Sequence, residues 1–331
     1  MSLAVLGWNH IRHFTRSVVG VIIAVSLVTN LWGHANAQTP TTIRIGYVPV
    51  ITQLPTFTAI DNGYFREAGL DIQLKTTPGG AATLEALAGG SVDVAANTNI
   101  ISLLQAIEQG FDLVILAGDI GIARSLPDVA VNMVRKDSGI KTLKDLEGKR
   151  FGLPNLKNIN WLYNMEYLSR NGVDTNKITW LEIGVPQAPA ALLTHQVDIV
   201  TTVEPFTTVL NQGGEAAPFY SEFVEVTPGG LISVWSTTRA WFDAHPKEAA
   251  QLVAVLGRAI AYNQNHQDEA RQRLAKYTRI DPSLAGKVTW PVWKQSIGSD
   301  LQVPMDLAVR YDLLKKPLPL DRIVMATAKA P

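Results

Sequence analysis

The residue types that could do chemistry here are mostly neutral hydrogen-bonding ones. Cysteine is absent from all 331 residues, which excludes thiol nucleophiles, thiolate metal sites and a disulfide framework. The six histidines include three in the first 34 residues; the others, His195, His245 and His266, show no metal-site spacing. There is no G-x-S-x-G nucleophile elbow, no Walker loop and no dinucleotide fingerprint. What stands out is a set of short Gly-, Pro- and Asn-bearing segments. Gly79-Gly80 lets backbone N–H groups approach a ligand at a helix start, where the dipole favours an anion. Asn97, Thr98 and Asn99 offer uncharged donors and acceptors, as do Asn155, Asn158 and Asn160. Lys157 is the one cation among these segments and points to an anionic ligand, with Tyr47, Phe57, Trp161 and Phe206 as candidate apolar walls. Asn and Thr are equally the residues that cap helices, and the aromatics equally suit a core. Glu204, before Pro205, reads either as a helix cap or as a group that binds an amine or holds a cleft shut.

These segments are placed by a weak internal duplication, about 105 residues apart. IRIGYVP from Ile43 matches KRFGLPN from Lys149; NGYFREAGLDIQL from Asn62 matches MEYLSRNGVDTNKITWL from Met165; TLEALAGGSVDVAAN from Thr83 matches APAALLTHQVDIVTT from Ala188. Leu87, Val92 and Asp93 thereby align with Leu192, Val197 and Asp198, the two aspartates reading as turn residues. Each copy reads as strand, helix, strand, helix, strand: strands over 43–48, 71–76 and 92–95, then over 150–153, 178–183 and 198–202. Further strands are expected over 113–116 and 129–135, and helices over 245–264 and 267–277. Alternating β and α elements predict parallel sheets covered by helices, hence an α/β fold of two Rossmann-like lobes. Segments 118–121 and 231–236 are the expected crossovers between them, giving lobe one over 38–122 and 238–331 and lobe two over 123–237. Ligands in such sheets bind beyond the carboxyl ends of the strands, so the loops named above should converge on one cleft.

The first 37 residues read as a cleavable signal peptide: a weakly basic start, an apolar run over 17–31 and Ala35-Asn36-Ala37. That run is short for a membrane span, and without cysteine the mature chain cannot be a lipoprotein. Cleavage would leave about 294 residues with a net charge near −2 and no basic block, which argues against nucleic acid or an anionic membrane as partner. The expected location is the periplasm, with no membrane insertion after cleavage.

The runs GYVPVITQLPTFTAIDNGYFREAGLDIQL, PGGAATLEALAGGSVDVAANTN, LEGKRFGLP and APAALLTHQVDIVTTVEPF, in that order over residues 43–265, resemble the taurine/alkanesulfonate/nitrate-type periplasmic binding proteins, whose superfamily includes pyrimidine-precursor proteins of thiamine metabolism. The resemblance implies a type II periplasmic-binding fold with two crossovers, and a monomeric solute-binding component that serves an ABC permease and its ATPase without catalysis or cofactor. It implies a ligand site at Tyr47, Gln53, Gly79, Gly80, Asn97, Thr98, Lys157, Asn158, Asn160, Thr202 and Glu204. Asn155-Leu156-Lys157-Asn158 is bulkier than the small turn of many members, and leaves an alkanesulfonate, an aromatic acid, nitrate and a neutral pyrimidine open as ligands. The aromatics favour an organic anion, a sulfonate or carboxylate. The alternative is a pyrimidine or thiamine-precursor binding protein or an enzyme of that pathway, although the cysteine motif expected of such an enzyme is missing.

Overall fold

A computed structural model describes residues 40–278 and 280–328; the expected signal peptide lies outside them. Twelve strands are found among the described residues: β1 (Thr41–Tyr47), β2 (Leu70–Thr76), β3 (Val94–Asn99), β4 (Leu113–Gly118), β5 (Ile120–Gly121), β6 (Ala130–Arg135), β7 (Arg150–Leu153), β8 (Thr179–Glu182), β9 (Ile199–Val203), β10 (Ala216–Tyr220), β11 (Ser233–Thr238) and β12 (Val292–Trp293). They form two five-stranded sheets, β2-β1-β3-β11-β4 and β8-β7-β9-β6-β10, and a small pair, β12-β5. In both large sheets the three strands of the sequence repeat run parallel, and the fourth place is taken by an antiparallel strand, β11 or β6. The duplication is therefore visible as one strand order built twice.

The register repeats down to single residues. Ile45-Gly46 of β1 lies beside Val94-Ala95, and Phe151-Gly152 of β7 lies beside Ile199-Val200. One residue before each third strand sits the matching aspartate. Asp93 accepts from the Arg44 backbone N–H at 2.8 Å and its guanidinium at 3.0 and 2.5 Å. Asp198 takes the same three bonds from Arg150 at 2.8, 3.1 and 2.9 Å. These aspartates do more than turn the chain; each clamps the first strand of its half to the third. Burial disfavours both carboxylates, but the arginine bonds outweigh it and hold each below its ordinary range.

Glycine at 46 and 152 has a packing reason. A Cβ at Gly46 would lie 3.0 Å from Thr83 Cγ2, and one at Gly152 would lie 2.8 Å from Ile183 Cγ1 and 3.1 Å from Val200 Cγ2. Both positions let a helix or strand close down on the middle of the sheet.

Apolar side chains cover both faces of each sheet. Helices Leu54–Asp61, Pro246–Asn265 and Gln267–Thr278 pack beside the first sheet around Phe57, Leu252 and Leu274. A small cluster joins Val48 and Val50 of one half to Val185, Val203 and Phe206 of the other. The expected crossover over 231–236 lies mostly within β11 of the first sheet, because Val234 and Trp235 pair with β4. The chain thus returns to the first sheet between Tyr220 and Ser233, earlier than the sequence pattern suggested. Segment 118–121 does leave β4, through Asp119, toward the second sheet.

Gly152→Ala should lower stability by about 1–3 kcal/mol through overpacking. Denaturant unfolding would show it as a reduced midpoint with unchanged slope; a midpoint equal to wild type would contradict the packing argument.

Candidate functional site

The carboxyl ends of the parallel strands in the two sheets border a cavity of about 680 Å³ including its open mouth. From the first half it is lined by Val48, Val50, Thr52, Gly79, Gly80, Asn97, Asn99 and Ile120, and from the second by Pro154, Asn155, Asn158, Asn160, Val185, Val203 and Phe223. Val129, Ala130, Ile232 and Ser233 complete it, so no lining residue carries a formal charge. Mixed apolar and amide walls drawn from both halves suit a small organic molecule.

Of the eleven residues expected to bind a ligand, Gly79, Gly80, Asn97, Asn158 and Asn160 line the cavity. The other six lie outside the lining, each for an identifiable reason. The segment 97–99 was expected as a loop but continues β3, so alternate side chains face opposite ways. Asn97 and Asn99 face the cleft, whereas Thr98 is buried and bonds Ser236 Oγ and the Ala95 carbonyl. Thr202 is turned inward by the same alternation in β9, where it bonds Thr207 and the Val131 carbonyl. The Tyr47 ring packs edge-on against Phe57, and Gln53 is buried in a short 3-10 turn, Ile51–Gln53. Lys157, at a left-handed turn with φ 56°, is exposed. Glu204 is buried; its carboxylate accepts from the N–H and hydroxyl of Thr208 and from the Thr289 N–H. It caps a helix and ties that helix to the C-terminal segment, with no oxygen turned to the cavity lining. Of the four candidate apolar walls, none is among the lining residues; Phe223 takes that place.

Helix starts dominate the polar surface. Asn158 Oδ1 accepts from Trp161 N at 3.0 Å, capping helix Ile159–Arg170. Asn99 Oδ1 caps helix Ile100–Glu108 through Ile101 N and Ser102 N. Helix Gly80–Ala88 begins differently: its cap residue is Gly79, which has no side chain to accept a bond, so its first N–H groups stand at the cavity uncapped.

The sequence reading missed a layer of acids directly behind this lining. Asp119, just past β4, accepts from Asn97 Nδ2 at 3.4 Å, Ser233 Oγ at 3.2 Å and Trp235 Nε1 at 3.2 Å. Glu222, just past β10, accepts from Asn160 Nδ2 at 3.2 Å and Asn132 Nδ2 at 2.9 Å. Asp128 accepts from Ser221 Oγ at 3.3 Å and from Val129 N. All three are buried, and among the described residues none forms a salt bridge. Burial pushes Asp119 up to about 7 and Glu222 up to about 8, against the pull of their hydrogen bonds, and raises Asp128 as well. Asp119 and Glu222 each orient a lining amide: Asn160 gives an N–H to Glu222, and Asn97 gives its N–H groups to Thr52 and Asp119, leaving its carbonyl oxygen free for the cleft. Asp119 was visible in sequence as a lone acid between Gly118 and Ile120; nothing in Ser221-Glu222-Phe223 distinguishes Glu222 from a surface acid.

Among the described residues there is no cluster of side chains suited to a metal ion, and no helix is long and apolar enough to cross a membrane.

A family model described as NMT1/THI5 like matches residues 51–270, about two thirds of the chain, and the chain belongs to that family. Solved structures similar to it include the alkanesulfonate-binding protein SsuA of Xanthomonas axonopodis pv. citri bound to MOPS, with 23% identity, a TM-score of 0.74 and coverage of 86% of this chain and 98% of that one. The periplasmic nitrate-binding protein NrtA of Synechocystis PCC 6803 shares 14% identity at a TM-score of 0.70, covering 85% and 84%. The desulfurization enzyme DSZB shares 17% identity at 0.63, covering 86% and 96%. At these identities the likeness shows the fold, that of periplasmic binding proteins. No curated protein shows a significant sequence match.

A carboxyl whose folded-state pKa lies above its unfolded value binds its proton more tightly when folded. Its stabilising contribution is complete below about pH 4.5 for Glu222 and is lost as pH rises through about 8. Wild type should therefore lose on the order of 3 kcal/mol between pH 5 and pH 9 from this group. Glu222→Gln, which keeps the shape of the protonated acid, should flatten that part of the Tm-against-pH curve; an unchanged slope would show that Glu222 titrates normally.

Proposed function

We propose that this member of the NMT1/THI5-like family is the extracytoplasmic solute-binding component of an ABC importer, and that it captures a small organic anion, a sulfonate or carboxylate, between two closing lobes. The observation that carries the ligand reading is the uncapped start of helix Gly80–Ala88 at a cavity whose other donors are neutral amides. Backbone N–H groups at Gly79-Gly80 and the positive end of a helix dipole stabilise an oxyanion without a cation. Lys157 is exposed and outside the lining, so the anion is held by backbone and amide donors instead. The valines and Phe223 receive the apolar part of the ligand. The lining offers one helix start and no cation, so it can balance about one negative charge, which favours a monoanion over sulfate or phosphate.

Capture works by summing contacts. The two halves each contribute part of the lining, so a ligand meets its full set of partners only when they approach, and it stabilises that closed arrangement by its differential affinity. The proposed role is binding without turnover, with the permease and ATPase as partners of a monomer in the periplasm.

A second reading rests on the same charge-free wall. The free Asn97 carbonyl beside protonatable acids also suits the ring and amino N–H groups of a neutral pyrimidine, as in a thiamine-precursor binding protein.

Thermal-shift measurements with alkanesulfonates, aromatic carboxylates, nitrate and an aminopyrimidine separate these outcomes. A sulfonate or carboxylate at about 100 times its Kd should stabilise by about 2.7 kcal/mol, a rise of several degrees, without being consumed. Stabilisation by the aminopyrimidine alone would favour the second reading, and consumption of a bound compound would replace binding with catalysis. By calorimetry with the stabilising acid, Gly79→Val, which crowds the uncapped helix start, should weaken binding about tenfold, and Lys157→Ala should leave it within about twofold. The reverse pattern would return the anion to Lys157.

A further inference from the structure

The geometry points to Asn99 as the latch that couples cleft occupancy to closure of the two lobes, an inference that rests on the solute-capture reading above. Asn99 ends β3 of the first sheet, and its Oδ1 accepts three backbone N–H groups. Two of them, Ile101 N at 3.1 Å and Ser102 N at 3.2 Å, open its own helix. The third, Ile159 N at 3.2 Å, opens helix Ile159–Arg170, which follows β7 of the second sheet. One oxygen therefore caps two helix starts that belong to different halves.

An ordinary cap needs none of this reach. Helix Ile159–Arg170 already has its own cap, because Asn158 Oδ1 accepts from Trp161 N. The Ile159 N–H, at the first helical position, has no acceptor within its helix. It is satisfied across the cleft only while the halves stay together; on opening it passes to water. The rest of Asn99 faces the ligand space. The residue lines the cavity, and a Cβ at Gly80 would lie 3.8 Å from Asn99 Cβ, so its amide stands beside the uncapped helix start. Among the described residues Asn99 Nδ2 makes no hydrogen bond. Oδ1 is held by its own helix start, so the two N–H bonds of Nδ2 keep one orientation, and in the closed arrangement one amide meets the ligand space through Nδ2 and the second half through Oδ1. A ligand that takes Nδ2 and also touches the second half therefore favours the cross-lobe bond, and that bond in turn favours the closed arrangement that holds the ligand.

Two substitutions separate the latch from the local cap. Asn99→Ser keeps a favoured cap for its own helix but shortens the side chain, so the cross-lobe bond is lost. Asn99→Asp keeps the length and the acceptor and places a negative charge between two helix starts. The chain has no cysteine, so Gly79→Cys with Asn155→Cys introduces the two thiols needed to report closure. A Cβ at Gly79 lies 3.8 Å from Asn155 Oδ1 across the cleft. The rate at which a short bifunctional thiol reagent links them, in protein without added solute, measures how often the halves meet. In this background Asn99→Ser should slow linking at least about fivefold, and Asn99→Asp should stay within about twofold of the parent. Equal rates for parent and Asn99→Ser, or slow linking with Asn99→Asp, would overturn the latch and leave the capture reading standing. A parent that never links would overturn closure itself, and the latch with it.

Discussion

A helix that starts at the edge of a sheet brings backbone N–H groups with no partner in their own helix, and this protein brings several such starts to one place. That constraint organises the site. Both sheets direct the carboxyl ends of their parallel strands at a shared cavity, so the turns there deliver helix N-termini from each half. At two of these starts asparagine accepts the orphan hydrogens, and at a third Gly79 leaves them open. The amide-rich wall is a consequence of how α/β units begin their helices, with the start at Gly79 among those that no side chain caps.

The acids behind the wall fix the orientation of its amides. Asp119 and Glu222 each follow the strand from which the chain departs for the other half, and each bonds an amide that lines the cavity. An unpaired buried carboxylate is costly, whereas its protonated form can be carried at neutral pH, as the raised value of Glu222 indicates. The polar network beneath the second half is otherwise well satisfied: Asn132 bonds Asn164 and Glu222 and accepts from Thr201, and Tyr220 donates to Asn164. Such a network fixes the direction in which Asn160 points.

Most of the architecture was legible in the sequence because the duplication repeats strand boundaries as well as residue types. The strand over 150–153 agrees with β7, and Arg44, Gly46 and Asp93 recur as Arg150, Gly152 and Asp198 with the same bonds and the same crowding. What escaped was long-range pairing. β11 reads locally as a connector, and only its place between β3 and β4 makes it a strand of the first sheet. In the site, Gly79, Gly80, Asn97, Asn158 and Asn160 were recoverable because turns after parallel strands must face the ligand side. Thr98 and Thr202 were not separable from their neighbours, since a one-residue extension of a strand decides which side chain points in. Glu222 carries no local mark at all; its burial is set by Asn132 and Asn160, which lie 90 and 62 residues away in the chain.

In the proposed role one solute bridges two halves across an uncharged cleft. Small-angle scattering on the full chain, alone and with a saturating amount of whichever acid stabilises it most in the thermal screen, tests it most directly. The expected result is a smaller radius of gyration with one molecule bound per chain. A tightly bound acid that leaves the radius unchanged, with a Gly79→Val variant binding it as well as wild type, would rule out solute-driven closure at this cleft.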